Sequence, residues 1–242
     1  MGKVYVVGIG PGGPDGLTAG ARQALEQSDL LCGYTVYLEL IRPLFPEKAV
    51  LATAMTQETE RCRAALQTAA SRKTVALVCS GDPGVYGMAG LVLQLAVHYP
   101  GVAVEIVPGV TAATAGAAVL GAPLMHDFAV VSLSDRLTPW EKIEARLRAA
   151  AQADFVICLY NPESRHRAGY LRKACAILAS LRAPETACGW VRNIDRTGQE
   201  SGVCTLAELT DMKADMFTTV YIGNSETRQI NGKLVTPRGY QL

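Results

Sequence analysis

Short apolar runs recur along the chain at residues 4–7, 75–79, 102–107, 129–133, 155–160, 187–191 and 219–222, most of them rich in Val, Ile or Leu. Their length and composition predict buried strands. Between them, apolar positions return with a helical period near 19–28, 56–71, 85–98, 111–120, 139–151 and 166–181. Strands that alternate with helices predict an α/β fold with largely parallel strands, at least in the first half. The segment GAPLMHD at 121–127 reads as a connector, so two lobes are expected, 1–122 and 123–242. Thr138-Pro139-Trp140-Glu141 predicts a helix start, with Thr138 as the cap and Pro139 in the first helical position.

Composition narrows the field without choosing a function. The 242 residues give room for a buried core, and 49% hydrophobic with 19% charged residues is ordinary for a globular chain. A net charge of +1 gives no pull toward nucleic acid or an anionic membrane, and neither is expected as a partner. Residues 106–125 carry no charge, but Pro108, Gly109, Gly116, Gly121 and Pro123 break that run. It reads as a strand, a turn and a small-residue helix rather than a membrane span. The seven cysteines form no C-x-x-C pair, so neither a metal site nor a disulfide framework is expected. Reduced thiols, and an opening without a basic-then-apolar leader, suit a cytoplasmic protein.

The candidate chemistry sits in three glycine-rich loops, each behind a predicted strand. The first, GIGPGG at 8–13, fits the dinucleotide pattern G-x-G-x-x-G. That pattern needs its turn to open directly into a helix whose N-terminus meets a pyrophosphate. Here Pro11, Pro14 and Gly16 intervene, the first good cap is Thr18, and no acidic residue closes a second strand near Leu30. A nucleotide-dependent oxidoreductase is the function class this loop would otherwise suggest. The second loop, SGDPGVYGMAG at 80–90, is expected to enter a helix near Val85. Its glycines let a ligand approach the backbone, and Asp82 can accept hydrogen bonds from an ammonium or hydroxyl. Equally, Asp82 as an N-cap with Pro83 behind it would need no ligand. The third, VPGVTAATAG at 107–116, leads into a helix of small residues that Thr111 can cap.

The three loops GIGPGGPDGLT, SGDPGVYG and VPGVTAATAGAAVLGAPL, in this order and spacing, resemble the tetrapyrrole methyltransferases, S-adenosylmethionine enzymes of corrin and sirohaem synthesis. The resemblance runs over essentially the whole chain. VVSLSDRLTPWEKIEARL at 130–147 and FVICLYNPESRHR at 155–167 resemble the branch that methylates C-17 of precorrin-3B, or of its cobalt counterpart, and contracts the macrocycle. The family implies two α/β lobes around a cofactor cleft, not a Rossmann fold, and usually a homodimer. It implies S-adenosyl-L-methionine as methyl donor, S-adenosyl-L-homocysteine as product and a precorrin as substrate. Carried over by motif, Gly81, Asp82, Gly84, Val85, Tyr86, Thr111 and Ala112 line the cofactor, as do Tyr160 and Asn161. Arg192, Asn193, Thr218 and Thr219 are looser matches. Pro11 falls on the substrate side.

Ring contraction asks for proton removal and charge stabilisation. The candidates are His126, Asp127, Ser132, Ser134 and Asp135, with His126, Ser132 and Asp135 put forward as catalytic. A hinge histidine and a turn-bonding Asp135 are the plainer alternatives. Arg165, His166 and Arg167 are expected in the first turn of a helix, where cations oppose the dipole unless an anion binds there. They are the candidate clamp for the macrocycle's carboxylates, and three solvated side chains are the alternative. The missing cysteine-rich extension points to the metal-free substrate. A corrinoid carrier would bind the macrocycle without consuming the methyl donor.

Overall fold

The first apolar run forms strand β1 (Gly2–Gly8) of a computed structural model that describes residues 1–164 and 166–241. Helix α1 (Ala19–Gln27), strand β2 (Leu30–Tyr34), helix α2 (Thr35–Ile41) and strand β3 (Ala49–Thr53) follow. Helix α3 (Glu58–Ala70), strand β4 (Thr74–Cys79), helix α4 (Ala89–Ala96) and strand β5 (Val102–Val107) complete a unit, Met1–Thr111. Its five strands lie in the order β3-β2-β4-β1-β5, all parallel. The period-2 alternation of a strand sorts the side chains. Val4, Val6, Val75 and Leu77 face one way with Cys62 and Leu66 of α3. Tyr5, Val7, Ala76 and Val78 face the other with Leu25 of α1 and Leu38 of α2. Both faces are covered, which is why β4 reads as an unbroken apolar run.

The unit that starts at Ala112 opens with helix α5 (Ala112–Leu120) and the short strand β6 (Gly121–Ala122), so the expected lobe boundary at 122 falls at the end of β6. Strand β7 (Phe128–Ser132), helix α6 (Trp140–Gln152), strand β8 (Val156–Tyr160) and helix α7 (Tyr170–Ala179) come next. Strands β9 (Ala187–Arg192) and β10 (Glu200–Thr205), helix α8 (Leu206–Leu209) and strand β11 (Thr218–Ile222) follow. The hairpin β12 (Arg228–Ile230) and β13 (Lys233–Val235) pairs with β6. The main sheet, β10-β9-β11-β8-β7, is parallel only between β7 and β8. Helices α6, α7 and α8 cover one face, through Ile143, Leu147, Leu171 and Leu206. Helix α5 covers the other, where Ala113 and Ala117 meet Cys158, Val191 and Tyr221.

Several expectations need correction. Helix α4 begins at Ala89, not near Val85, because residues 82–88 are spent in turns: Val85 N–H donates to the Asp82 carbonyl and Ala89 N–H to that of Pro83. Asp82 is therefore not a helix cap. Helix α6 is preceded by Pro139 itself in extended conformation, ψ 144°, so Thr138 is not the cap. Helix α7 starts at Tyr170 behind Gly169 at φ +79°, which leaves 166–167 in the turn ahead of it. The uncharged run 106–125 is the end of β5, a loop, α5, β6 and the start of the turn after it, and no described helix is long and apolar enough to cross a membrane. Burial pushes the Cys32 and Cys62 thiols up to about 12, so they stay protonated core side chains.

The small residues of α5 have a packing use. The Tyr221 hydroxyl, in a fully buried side chain, lies 2.9 Å from the carbonyl oxygens of both Ala112 and Ala113. A methyl group at Gly116 would stand 2.3 Å from that hydroxyl. Gly116→Ala is expected to destabilise by about 2 kcal/mol, the usual range for overpacking, read as a lowered urea midpoint at unchanged m.

Candidate functional site

The C-terminal edge of the first sheet is where the chain's strand order reverses. From β1 the chain leaves over the α1 face, and from neighbouring β4 it leaves over the α3–α4 face. In open α/β sheets ligands bind at such a switch point. Here the two loops close on each other. Gly10 and Gly81 form an antiparallel bridge, with N–H to carbonyl distances of 3.2 and 2.7 Å. Both need positive φ, +74° and +68°. The loop after β5 joins them: a Cβ on Gly109 would sit 2.3 Å from the Gly81 oxygen and 2.7 Å from the Gly8 carbonyl. Asp82 ties this bundle together. Its Oδ1 accepts from Gly84 N–H at 2.7 Å and its Oδ2 from Gly109 N–H at 3.0 Å.

This arrangement is incompatible with the dinucleotide reading of GIGPGG. The helix that should receive a pyrophosphate begins at Ala19, and its N-terminus is already capped by Thr18 Oγ1, which accepts from Ala21 N–H at 3.0 Å. Pro11 is buried in the first loop. Beyond the glycine bundle, Gly84, Tyr86 and Gly87 are exposed, with Val85 half-buried, and Tyr86 is held at φ +55°. A non-glycine residue in that region is uncommon and marks a backbone fixed by its surroundings. Arg61, buried on α3, fastens the neighbouring segments: its guanidinium donates to Thr53 Oγ1 at 2.6 Å and to the Ala54 carbonyl at 2.8 Å, with Met88 Sδ at 3.5 Å.

The second sheet gathers the remaining cofactor candidates on one edge. Strands β7, β8 and β9 end there and β11 begins there. Ser132 is paired with Tyr160, and Thr218 with Arg192. Tyr160 accepts the Ala113 N–H at 2.7 Å, so its ring stands at the start of α5. Asn161, at φ +52°, donates to Ser132 Oγ at 3.0 Å. Thr219 is buried, and its hydroxyl makes no hydrogen bond among the described residues. Arg192 and Thr218 are partly committed to structure: Asp215 holds the guanidinium at 2.8 Å and accepts the Thr218 hydroxyl at 2.8 Å. Asn193, at φ +52°, donates to the Gly198 carbonyl.

The residues proposed for proton transfer and substrate binding separate in space. Ser132, Ser134, Asp135 and Arg167 cluster at the same edge. Arg167 Nη1 donates to Ser134 Oγ, and Ser134 N–H to Ser132 Oγ at 3.2 Å. Arg167 Nε is buried without a partner among the described residues, and no carboxylate pairs with that guanidinium. His126 and Asp127, both exposed, precede β7 and so lie one strand length from Ser132, roughly 17 Å at the usual rise. His126 and Ser132 therefore cannot act on one atom. His166 is exposed in the turn before α7, and Arg165 lies outside the described residues. With that turn outside the helix, the dipole no longer argues for an anion; Arg167, which donates to Ser134 but pairs with no described carboxylate, does so instead.

Tyr170 is a member of this cluster that the sequence reading did not single out. Its hydroxyl donates to Asp135 Oδ2 at 2.6 Å, and its ring packs edge-on against Trp140 at 5.0 Å with Lys173 Nζ over it at 4.9 Å. The bond to Asp135 holds the phenol above the usual tyrosine range. A tyrosine at a helix start carries no local motif, because its partner is 35 residues away.

Comparison with known proteins adds to this geometry. Residues 3–210 match the family model described as Tetrapyrrole (Corrin/Porphyrin) Methylases. A cobalt-factor III methyltransferase of Priestia megaterium is 44% identical over 99% of this chain, and the chain spans 45% of that longer relative. A probable cobalt-factor III C(17)-methyltransferase of Salmonella typhimurium is 45% identical, covering 98% of this chain and 99% of the relative. Among solved structures, the methyltransferase CobJ superposes with a TM-score of 0.91 at 36% identity, over 98% of this chain and 100% of that one. A uroporphyrin-III C-methyl transferase from Thermus thermophilus, complexed with S-adenyl homocysteine, gives 0.74 at 25% identity, over 92% and 97%.

Proposed function

The chain belongs to the tetrapyrrole (corrin/porphyrin) methylase family, and from that premise we propose that it methylates C-17 of a precorrin-3B-type macrocycle, with ring contraction, in cobalamin biosynthesis. The near full-length similarity to C-17 relatives carries this reading. The names of those relatives favour the cobalt-containing macrocycle ahead of the metal-free one first expected. S-adenosyl-L-methionine, when bound, supplies an electrophilic methyl group. A homodimer is the expected assembly.

The residues present suit such a donor. In the first unit the exposed turn 84–87 offers backbone contacts at glycine positions, and in the second Asn161 offers a polar side chain at the sheet edge. Methyl transfer needs the ring carbon, methyl and sulfur in line, so the rigid glycine bundle and the fixed Tyr86 and Asn161 backbones contribute chiefly by holding position. Arg167, cationic and paired with no carboxylate among the described residues, takes an acidic arm of the macrocycle.

The test is incubation of the protein with S-adenosyl-L-methionine and, in parallel, cobalt-factor III or precorrin-3B. S-adenosyl-L-homocysteine release, the mass gain and the absorption change report methylation and contraction together. Binding without donor consumption would instead indicate a carrier. Arg167→Ala is expected to raise KM for the macrocycle roughly tenfold, about 1.4 kcal/mol, and to flatten its salt dependence.

A further inference from the structure

Asp135 and Tyr170 have the geometry of an oriented proton acceptor. The carboxylate's Oδ2 is taken by the Tyr170 hydroxyl at 2.6 Å, while Oδ1 has no partner among the described residues. Tyr170 is itself fixed, by Trp140 packed against its ring and by its place at the first position of α7. Its hydroxyl stays protonated beside the carboxylate, so it donates and Asp135 remains the acceptor. A short chain of contacts links the pair to the sheet edge. Asp135 follows Ser134, which receives Arg167 and donates to Ser132, and Ser132 receives Asn161. A base held by a second group, next to a cation that no described carboxylate neutralises, is the arrangement expected where an acidic substrate must also lose a proton.

Resting on the methyltransferase reading above, we propose that Asp135 accepts the proton the macrocycle loses as it takes the methyl group, and that Tyr170 is the residue that positions it. The balance of the reaction requires such a step. When a neutral ring carbon takes the methyl group, its electron pair forms the new C–C bond and the C–S pair leaves with sulfur. Positive charge passes to the macrocycle as that bond forms, and release of one ring proton in the same step neutralises it. Asp135 Oδ1 takes that proton on a lone pair and returns it to water on product release. Arg167 holds a carboxylate of the same macrocycle close by.

The test combines single-turnover methyl transfer with two readouts that need no turnover. Tyr170→Phe keeps the ring against Trp140 and removes only the hydroxyl. It is expected to slow methyl transfer roughly tenfold while leaving the melting temperature and macrocycle affinity, followed by absorption titration, unchanged. Asp135→Asn should slow it by about 100-fold or more, the range for a lost general base. The double variant Asp135→Asn/Tyr170→Phe should be no slower than Asp135→Asn alone, because Tyr170 acts only through Asp135. In tyrosine-labelled protein, Asp135→Asn should also lower the ionisation midpoint of Tyr170. Wild-type rates in both single variants, or effects that multiply in the double variant, overturn the assignment while the methyltransferase reading stands. A wild-type protein that transfers no methyl group to either macrocycle removes the reading itself.

Discussion

Gly109→Ala is expected to be severely damaging to the first unit, costing about 4 kcal/mol or more in unfolding free energy. The added Cβ would stand 2.3 Å from the Gly81 carbonyl oxygen and 2.7 Å from both the carbon and the oxygen of the Gly8 carbonyl. These neighbours are main chain at the ends of β4 and β1, and neither can swing aside as a side chain could. Gly81 is bonded to Gly10, and Gly8 is held in register between Cys79 and its own strand ladder. Relief would require parting two strands of a sheet whose both faces are packed. Gly116→Ala makes a contact of similar length, but against the side chains of Tyr221 and Ile194 rather than main chain, so its cost is smaller. Urea unfolding of the two variants side by side tests the ranking. An equal, small loss in both would show that the three glycine loops are not locked together.

How far these features were legible in the chain depends on the range of the interactions. Strand β4 was readable because a strand buried on both faces writes itself as a continuous apolar run; β5, at the sheet edge, was readable from its valines and isoleucine although Glu105 interrupts them. Helix α1 was readable from Thr18, whose cap is local, and that cap was enough to set aside the dinucleotide motif. The region 30–53 was not, because Tyr34 ends β2 and Thr35 begins α2 with no connecting loop to mark the change. Strand β10 was hidden by its polar composition, an edge strand needing little apolar surface. Within the site, the convergence of Ser132, Tyr160, Arg192 and Thr218 on one edge follows from strand register, which no motif records. The expected placement of 165–167 in the first turn of α7 failed for a local reason. Gly169 takes a left-handed conformation and delays the helix to Tyr170, where the bond to Asp135 can form.

Asp82→Ala should separate the two roles open to that residue. In the sequence it was a candidate ligand for the cofactor; in the fold both of its oxygens already receive backbone N–H groups, from Gly84 and Gly109. Hydrogen bonds to a charged acceptor contribute about 1.5–3 kcal/mol each, and Asp82 is only half-buried, so the pair together is expected to contribute about 3 kcal/mol. Gly84 is exposed and water can replace its bond, whereas Gly109 N–H, set against Gly8 and Gly81, has little room for one. The alanine variant should therefore unfold at markedly lower urea. It should also bind S-adenosyl-L-homocysteine at least about tenfold more weakly by calorimetry, because the turn 84–87 loses its anchor. Asp82→Asn keeps one acceptor and turns an NH2 toward the other N–H, so it should recover no more than about half of the stability. The decisive comparison is between the two readouts across Ala and Asn. If affinity falls with stability in proportion, Asp82 serves the ligand by holding the loops after β4 and β5 together. If affinity collapses in Asp82→Asn while stability is largely kept, the carboxylate charge itself meets the ligand, and the positioning role assigned to it is wrong.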